Sequence, residues 1–207
     1  MFFDFGGVLT TPVWDSFADF CEGEGLDPGS IKRLFREDAE ALADLRGLET
    51  GSITEREFEA SFGARLGLAN PDGLIDSMFA GMKPQPEMVG AVRELRAADI
   101  KTGLISNSWS VAHYDRELLA KLFSDAVISA EVGLHKPKPE IYVLAAKRME
   151  VRPQDSLFVD DLRENCEGAE AVGMTAIRHR APAETLERLA ELTGVDLGSG
   201  GDQGDAQ

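Results

Sequence analysis

Positive charge is what this sequence most lacks. Lys and Arg number 21 against 37 Asp and Glu, a formal net charge of −16 over 207 residues. So acidic a chain offers no basic stripe to neutralise a phosphate backbone or an anionic lipid surface, so neither nucleic acid nor membrane is an expected partner. No apolar run approaches the ~20 residues of a membrane-spanning helix. Met1-Phe2-Phe3-Asp4 shows no basic segment followed by a long apolar one, the pattern of a secretory signal. Cysteine is scarce. Cys21 and Cys166 have no metal-ligand spacing and read as free thiols in a reducing, cytoplasmic compartment. Internal repeats are absent.

What remains is ordinary globular composition, 43% apolar and 28% charged, in a length that suits one core with a substantial insert. The excess acid is uneven: residues 13–83 carry a net −8, and residues 196–207 hold three Asp and no base. The Gly-rich polar stretch 199–205 has nothing to bury, so 196–207 is expected to be a disordered tail.

From residue 84 onward, short apolar runs alternate with amphipathic stretches. Strands are expected at 100–105, 126–130, 156–159 and 175–178, and helices at 87–98, 111–122, 139–149, 164–172 and 183–192. This alternation predicts an α/β fold, a Rossmann-like parallel sheet sandwiched by helices. Phe2-Phe3 opens a further strand that ends at Asp4, stunted or beginning upstream of Met1. Residues 13–83 carry helical spacing alone, with Thr54 and Glu57 placed as a capping box before Phe58, Phe62 and Leu66. The expected organisation is therefore a core of 1–12 and 84–195, with 13–83 inserted as a helical cap. An insert after a strand's carboxyl end lies over the ligand crevice of such sheets.

Four strand ends carry chemistry. Asp4 is followed by Gly6-Gly7, whose backbone N–H groups can cradle an anion. Ser106-Asn107-Ser108-Trp109 offers a hydroxyl donor, or an ordinary turn. In His135-Lys136-Pro137-Lys138-Pro139 two prolines hold the segment extended and fix where Lys136 points, unless this is only a solvated loop. Asp160-Asp161 places adjacent carboxylates after a buried strand, which call for a cation or a lysine.

In this order and at these strand ends, the four segments resemble the haloacid dehalogenase-like hydrolases. The resemblance spans residues 1–192. Asp4-Phe5-Gly6-Gly7-Val8-Leu9, Ser106-Asn107-Ser108-Trp109, Val159-Asp160-Asp161 and Gly51-Ser52-Ile53-Thr54 are most similar to the branch containing the phosphatase domain of soluble epoxide hydrolase and related bacterial sugar phosphatases. The resemblance implies a hydrolase of small phosphorylated metabolites. Asp4 would be the nucleophile, and Ser106, Asn107, Gly7 and Lys136 would contact the phosphoryl group. Mg²⁺ would be held by Asp4, the Gly6 carbonyl, Asp160 and Asp161. Most phosphatases of this family carry a second Asp, the general acid–base, where this chain has Gly6. Substrates with good leaving groups would then be favoured, because such a group contributes roughly 10²–10⁴-fold. Other readings stay open at this point: a regulatory phosphate-binding protein, a dehalogenase, or a phosphonatase using Lys32 of the cap.

Among the remaining residues, His113 reads as surface or packing, and His135 as either site-lining or solvated. Trp14 and Trp109 are placed to frame the cleft, with Trp14 equally suited to the cap interior. Arg178-His179-Arg180 reads as surface.

Overall fold

The computed structural model describes residues 1–197. Five parallel strands form one sheet: β1 (Phe2–Phe3), β2 (Gly103–Ser106), β3 (Asp125–Ile128), β4 (Leu157–Asp160) and β5 (Thr175–Arg178), in the order β3-β2-β1-β4-β5. Short β1 is the centre. Phe2 pairs with Gly103 on one side and Phe158 on the other, and Phe3 with Leu104 and Val159. The chain leaves β1 toward β2 and later returns to the opposite side as β4. The carboxyl ends of these central strands thus flank the switch point where ligands bind in open α/β sheets.

Helices α1 (Val13–Gly23), α2 (Ser30–Glu37), α3 (Ala39–Glu49), α4 (Glu55–Leu66) and α5 (Leu74–Phe79) come from the inserted segment. They bury their own cluster, centred on Phe17, Ile31, Phe58, Phe62 and Met78. The remaining helices cover the sheet: α6 (Pro86–Ala97), α7 (Arg116–Leu122), α8 (Ser129–Val132), α9 (Pro139–Arg148), α10 (Arg163–Ala171) and α11 (Pro182–Thr193). Outgoing and returning chain are stitched together where the insert begins and ends. Thr11 N–H donates to the Lys83 carbonyl (2.8 Å) and Gln85 N–H to the Leu9 carbonyl (2.8 Å).

Local sequence explains most boundaries. Thr54 and Glu57 form the reciprocal capping box of α4, and Gly67 closes it in the left-handed region. Pro86 and Pro139 stand in the first turns of α6 and α9, where a missing N–H costs nothing. Three expectations need correction. The single helix expected at 111–122 is a 3₁₀ turn at Val111–His113, followed by α7. Asp115 accepts from Glu117 and Leu118 N–H and starts a new helix there. Likewise Asp38, accepting from Glu40 and Ala41 N–H, starts α3, and the strand expected at 100–105 runs instead from Gly103 to Ser106. The strand expected at 126–130 stops at Ile128, because Ser129 already begins α8.

Leu197 is buried in the sheet's main cluster. Residues 198–207 of the expected tail lie outside the described residues. Cys21 and Cys166 are both free and buried. No described helix is long and apolar enough to cross a membrane.

Candidate active site

The four motif segments converge on Lys136, which stands not at a strand end, as expected, but after the short helix α8 that follows β3. Its ammonium lies 2.7 Å from Asp4 Oδ1 and 2.6 Å from Asp160 Oδ2, with the lysine and Asp160 side chains 1% and 0% exposed. The pairing is fixed from several sides. The Asn107 amide clamps the Lys136 backbone, donating to its carbonyl (3.0 Å) and accepting from its N–H (2.8 Å). Buried His135 places Nδ1 2.9 Å from the same carbonyl, so it braces the loop from inside. Asp160 accepts from Asn165 Nδ2 at both oxygens (3.0 and 3.1 Å) and from Leu162 N–H (2.9 Å). Asp4 Oδ1 also accepts from Phe5 N–H (2.7 Å). Among the described residues nothing hydrogen-bonds Asp4 Oδ2, and one oxygen of the carboxylate stays available.

Asp4, Asp160 and Asp161 each bring an oxygen within 4.8 Å of the others. Burial pushes the Asp4 carboxyl up to about 8, with Asp160 and Asp161 adding to the rise and Lys136 opposing it. Burial and Asp160 push Asp161 up to about 6. Burial works against the charged form of Lys136 too, but Asp160 and Asp4 outweigh it and hold the lysine well above its ordinary range. One ammonium does not neutralise three close carboxylates. The set fits a divalent cation with oxygen ligands, whose charge would offset the repulsion that adds to the burial-driven rise of Asp4. The Gly6 carbonyl accepts no hydrogen bond among the described residues.

Gly7 adopts φ +74°, and a Cβ there would lie 2.7 Å from Asp161 Oδ2. Only glycine allows the first and fourth strand-end loops to approach so closely. Its N–H is directed at Thr10 Oγ1 (3.3 Å). Ser106 Oγ lies 2.8 Å from the Tyr114 hydroxyl, and both are buried. Asn107 is thus a brace for Lys136, and Ser106 has a partner that the motifs did not reveal. Tyr114 and Asn165 were both missed. Asn165 left a trace as a polar residue on the inner side of α10. Tyr114 left one only in the flanking cap residues Ser110 and Asp115, which break the helical reading.

Trp109 leaves the core loop after β2 and enters the cap interior. Its ring centroid is 5.2 Å from Phe17, 5.4 Å from Phe58 and Phe79, and 5.7 Å from Phe35. Trp14 instead sits at the surface, 37% exposed, with Lys32 Nζ 5.7 Å from its ring. A cavity of about 450 Å³ lies between core and cap, and Phe5, Gly6, Ser106 and Asn107 form its inner end. Lys32 does not line it; Lys83 does.

Glu49, the last residue of α3, is half-buried and feels the charge of Lys136. Burial pushes its carboxyl from 4.5 up to about 7, against the pull of Lys136 and Arg46. The folded chain therefore holds a proton that the unfolded chain releases, and stability falls as pH rises from about 4.5 to about 7. Glu49→Gln is expected to flatten that slope and to stabilise the metal-free protein at pH 8 by about 1–2 kcal/mol. Thermal melts of both proteins across this range check it, and parallel curves would count against it.

Comparison with known proteins agrees with this geometry. A family model described as a haloacid dehalogenase-like hydrolase matches residues 1–173. A glyceraldehyde 3-phosphate phosphatase from Methanopyrus kandleri is 32% identical over 109 residues, 51% of this chain and 47% of its own length. The bifunctional epoxide hydrolase 2 of Sus scrofa is 26% identical over 94% of this chain and 39% of its own. The chain thus spans less than half the length of either relative. A family enzyme from Bacteroides thetaiotaomicron, solved as an Asp-to-Ala mutant with magnesium and inorganic phosphate, superposes with a TM-score of 0.66. It is 21% identical, with 87% of this chain and 93% of that one covered, a likeness of fold. By its family match over residues 1–173, the chain belongs to the haloacid dehalogenase-like hydrolases.

Proposed function

We propose that this chain hydrolyses small phosphate monoesters in a Mg²⁺-dependent reaction through an aspartyl-phosphate on Asp4. The carrying observation is the Lys136 ammonium set between Asp4 and Asp160, with Asp161 completing the carboxylate trio. The relatives support the reading: one is a glyceraldehyde 3-phosphate phosphatase, and the structural neighbour was solved with magnesium and inorganic phosphate.

Asp4 is held by one oxygen and presents the carboxylate to phosphorus. A bond forms from Asp4 to phosphorus as the ester P–O bond breaks. Water then attacks phosphorus, the Asp4–phosphorus bond breaks, and inorganic phosphate leaves. Lys136 offsets negative charge on nucleophile and phosphoryl group, and positioning with charge neutralisation supplies most of the catalysis in such transfers. Ser106, oriented by Tyr114, presents its hydroxyl to the phosphoryl oxygens. Mg²⁺, when bound by Asp4, Asp160, Asp161 and the Gly6 carbonyl, supplies electrostatic stabilisation of the transferring group.

Gly6 carries no acid, so the departing oxygen takes its proton from water. Aryl and acyl phosphates are therefore the expected good substrates. The reading is tested with an aryl phosphate, acid quench and peptide mapping, before and after chelation. Phosphoryl label on the Asp4 peptide, and turnover that returns only with added Mg²⁺, are expected. Label on another residue, or turnover without metal, would defeat the proposal.

A further inference from the structure

The cavity between core and cap has a wall unlike its inner end. Beyond Gly6, Ser106 and Asn107 it is lined by apolar side chains, chiefly Phe5, Leu9, Phe79, Met82, Trp109 and Leu118. The two charged residues that reach it, Asp76 and Lys83, are surface-exposed. At about 450 Å³ it falls within the range of small-molecule sites, roughly 300–1,000 Å³. An apolar space of this kind is poorly suited to water or to a polyhydroxylated group, whose hydroxyls would lose partners on entry.

Thr10, Ser108, Ser110 and Tyr114 also belong to the lining. Ser108 is 2% exposed and its Oγ is itself buried, with the Tyr114 hydroxyl near. Ser108 follows Ser106 and Asn107 directly, where the phosphate end gives way to the apolar wall.

We infer that the cavity binds the organic portion of the substrate, and that the preferred substrates are phosphate monoesters of apolar alcohols or phenols rather than of sugars or other polyols. The inference rests on the phosphatase reading for its phosphate end. It rests for its apolar end on the wall itself, whose continuity with the Asp4 loop through Phe5 and Gly6 makes the esterified group the occupant.

The test uses the full chain with Mg²⁺ and a series of 4-alkylphenyl phosphates from methyl to hexyl, which hold leaving-group pKa nearly constant. kcat/KM should rise by about fourfold for each methylene that stays inside, and should exceed that for glycerol or hexose phosphates. A series flat in chain length, or a preference for polyol phosphates, overturns the inference and leaves the phosphatase reading standing. If no ester is turned over, the phosphatase reading has failed. Binding of hexylphosphonate against methylphosphonate, followed through Trp109 fluorescence or calorimetry, then decides the cavity: tighter binding of the hexyl compound supports it and equal binding overturns it. Leu118→Trp, which fills part of the wall, should reduce the hexyl-to-methyl ratio at least tenfold; an unchanged ratio counts against the assignment.

Discussion

Replacing Lys136 with Met is expected to cost about 3–5 kcal/mol of stability near pH 8 and to remove measurable phosphate-ester turnover. The geometry sets the size of the effect. The ammonium touches Asp4 and Asp160 together, and neither the lysine nor the Asp160 side chain reaches solvent. Removing it leaves buried carboxylates facing one another, and Asp161 adds a third charge within 4.8 Å. The variant relieves the repulsion by taking up protons. Its folded-state carboxylates then bind protons at pH values where the unfolded chain has released them, so its stability falls as pH rises. Melts of Lys136→Met in metal-free buffer should give a Tm that climbs steadily from pH 8 to pH 5, with a steeper slope than the wild type. Added Mg²⁺ should recover part of the loss at pH 8, because it supplies positive charge to the same carboxylates. Equal stability of variant and wild type at pH 8 would show that Lys136 does not neutralise this cluster.

A gain of roughly 10²–10⁴-fold in kcat/KM for alkyl phosphates is expected from Gly6→Asp combined with Val13→Ala. Residue 6 is Gly where the family resemblance implies an acid–base Asp, and the space around it explains why Asp does not simply fit there. A Cβ built on Gly6 would lie 2.8 Å from Val13 Cγ2, at the first residue of α1. A β-branched side chain has few rotamers through which to withdraw. Gly6→Asp alone should therefore recover less activity than the pair, because the cap's first helix must shift to admit it. Aryl phosphates, whose leaving groups need little protonation, should gain far less than alkyl ones. The alkyl-to-aryl ratio is the quantity to measure. A ratio unchanged in the double variant would mean that protonation of the leaving group does not limit the wild-type enzyme.

Much of the architecture could be read along the chain because its causes are local. Apolar runs ending in Asp4, Ser106 and Asp160 mark buried parallel strands. Thr54 with Glu57, and Pro86 and Pro139 in first turns, mark helix starts. The same local logic explains why the helix expected at 111–122 is divided. Hydrophobic spacing runs unbroken through Asp38 and Asp115, while the chain obeys the capping carboxylates instead. Periodicity reports which face is buried and is blind to where the backbone changes course.

Sequence by itself supplied the candidate chemistry: a carboxylate, a hydroxyl, a lysine and a carboxylate pair in an order that resembles the family, with Gly at residue 6. Tertiary structure alone decided how these groups are held and what lies beside them. Asn107 clamps Lys136 across 29 positions, Asn165 fixes both oxygens of Asp160, and Tyr114 meets Ser106. Trp109 crosses from core to cap among four phenylalanines of the insert, and the apolar cavity opens beside it. The physical reason is common to all of these. Strand ends and caps follow from neighbours along the chain, whereas braces, cavities and pKa shifts arise where remote segments meet and exclude water.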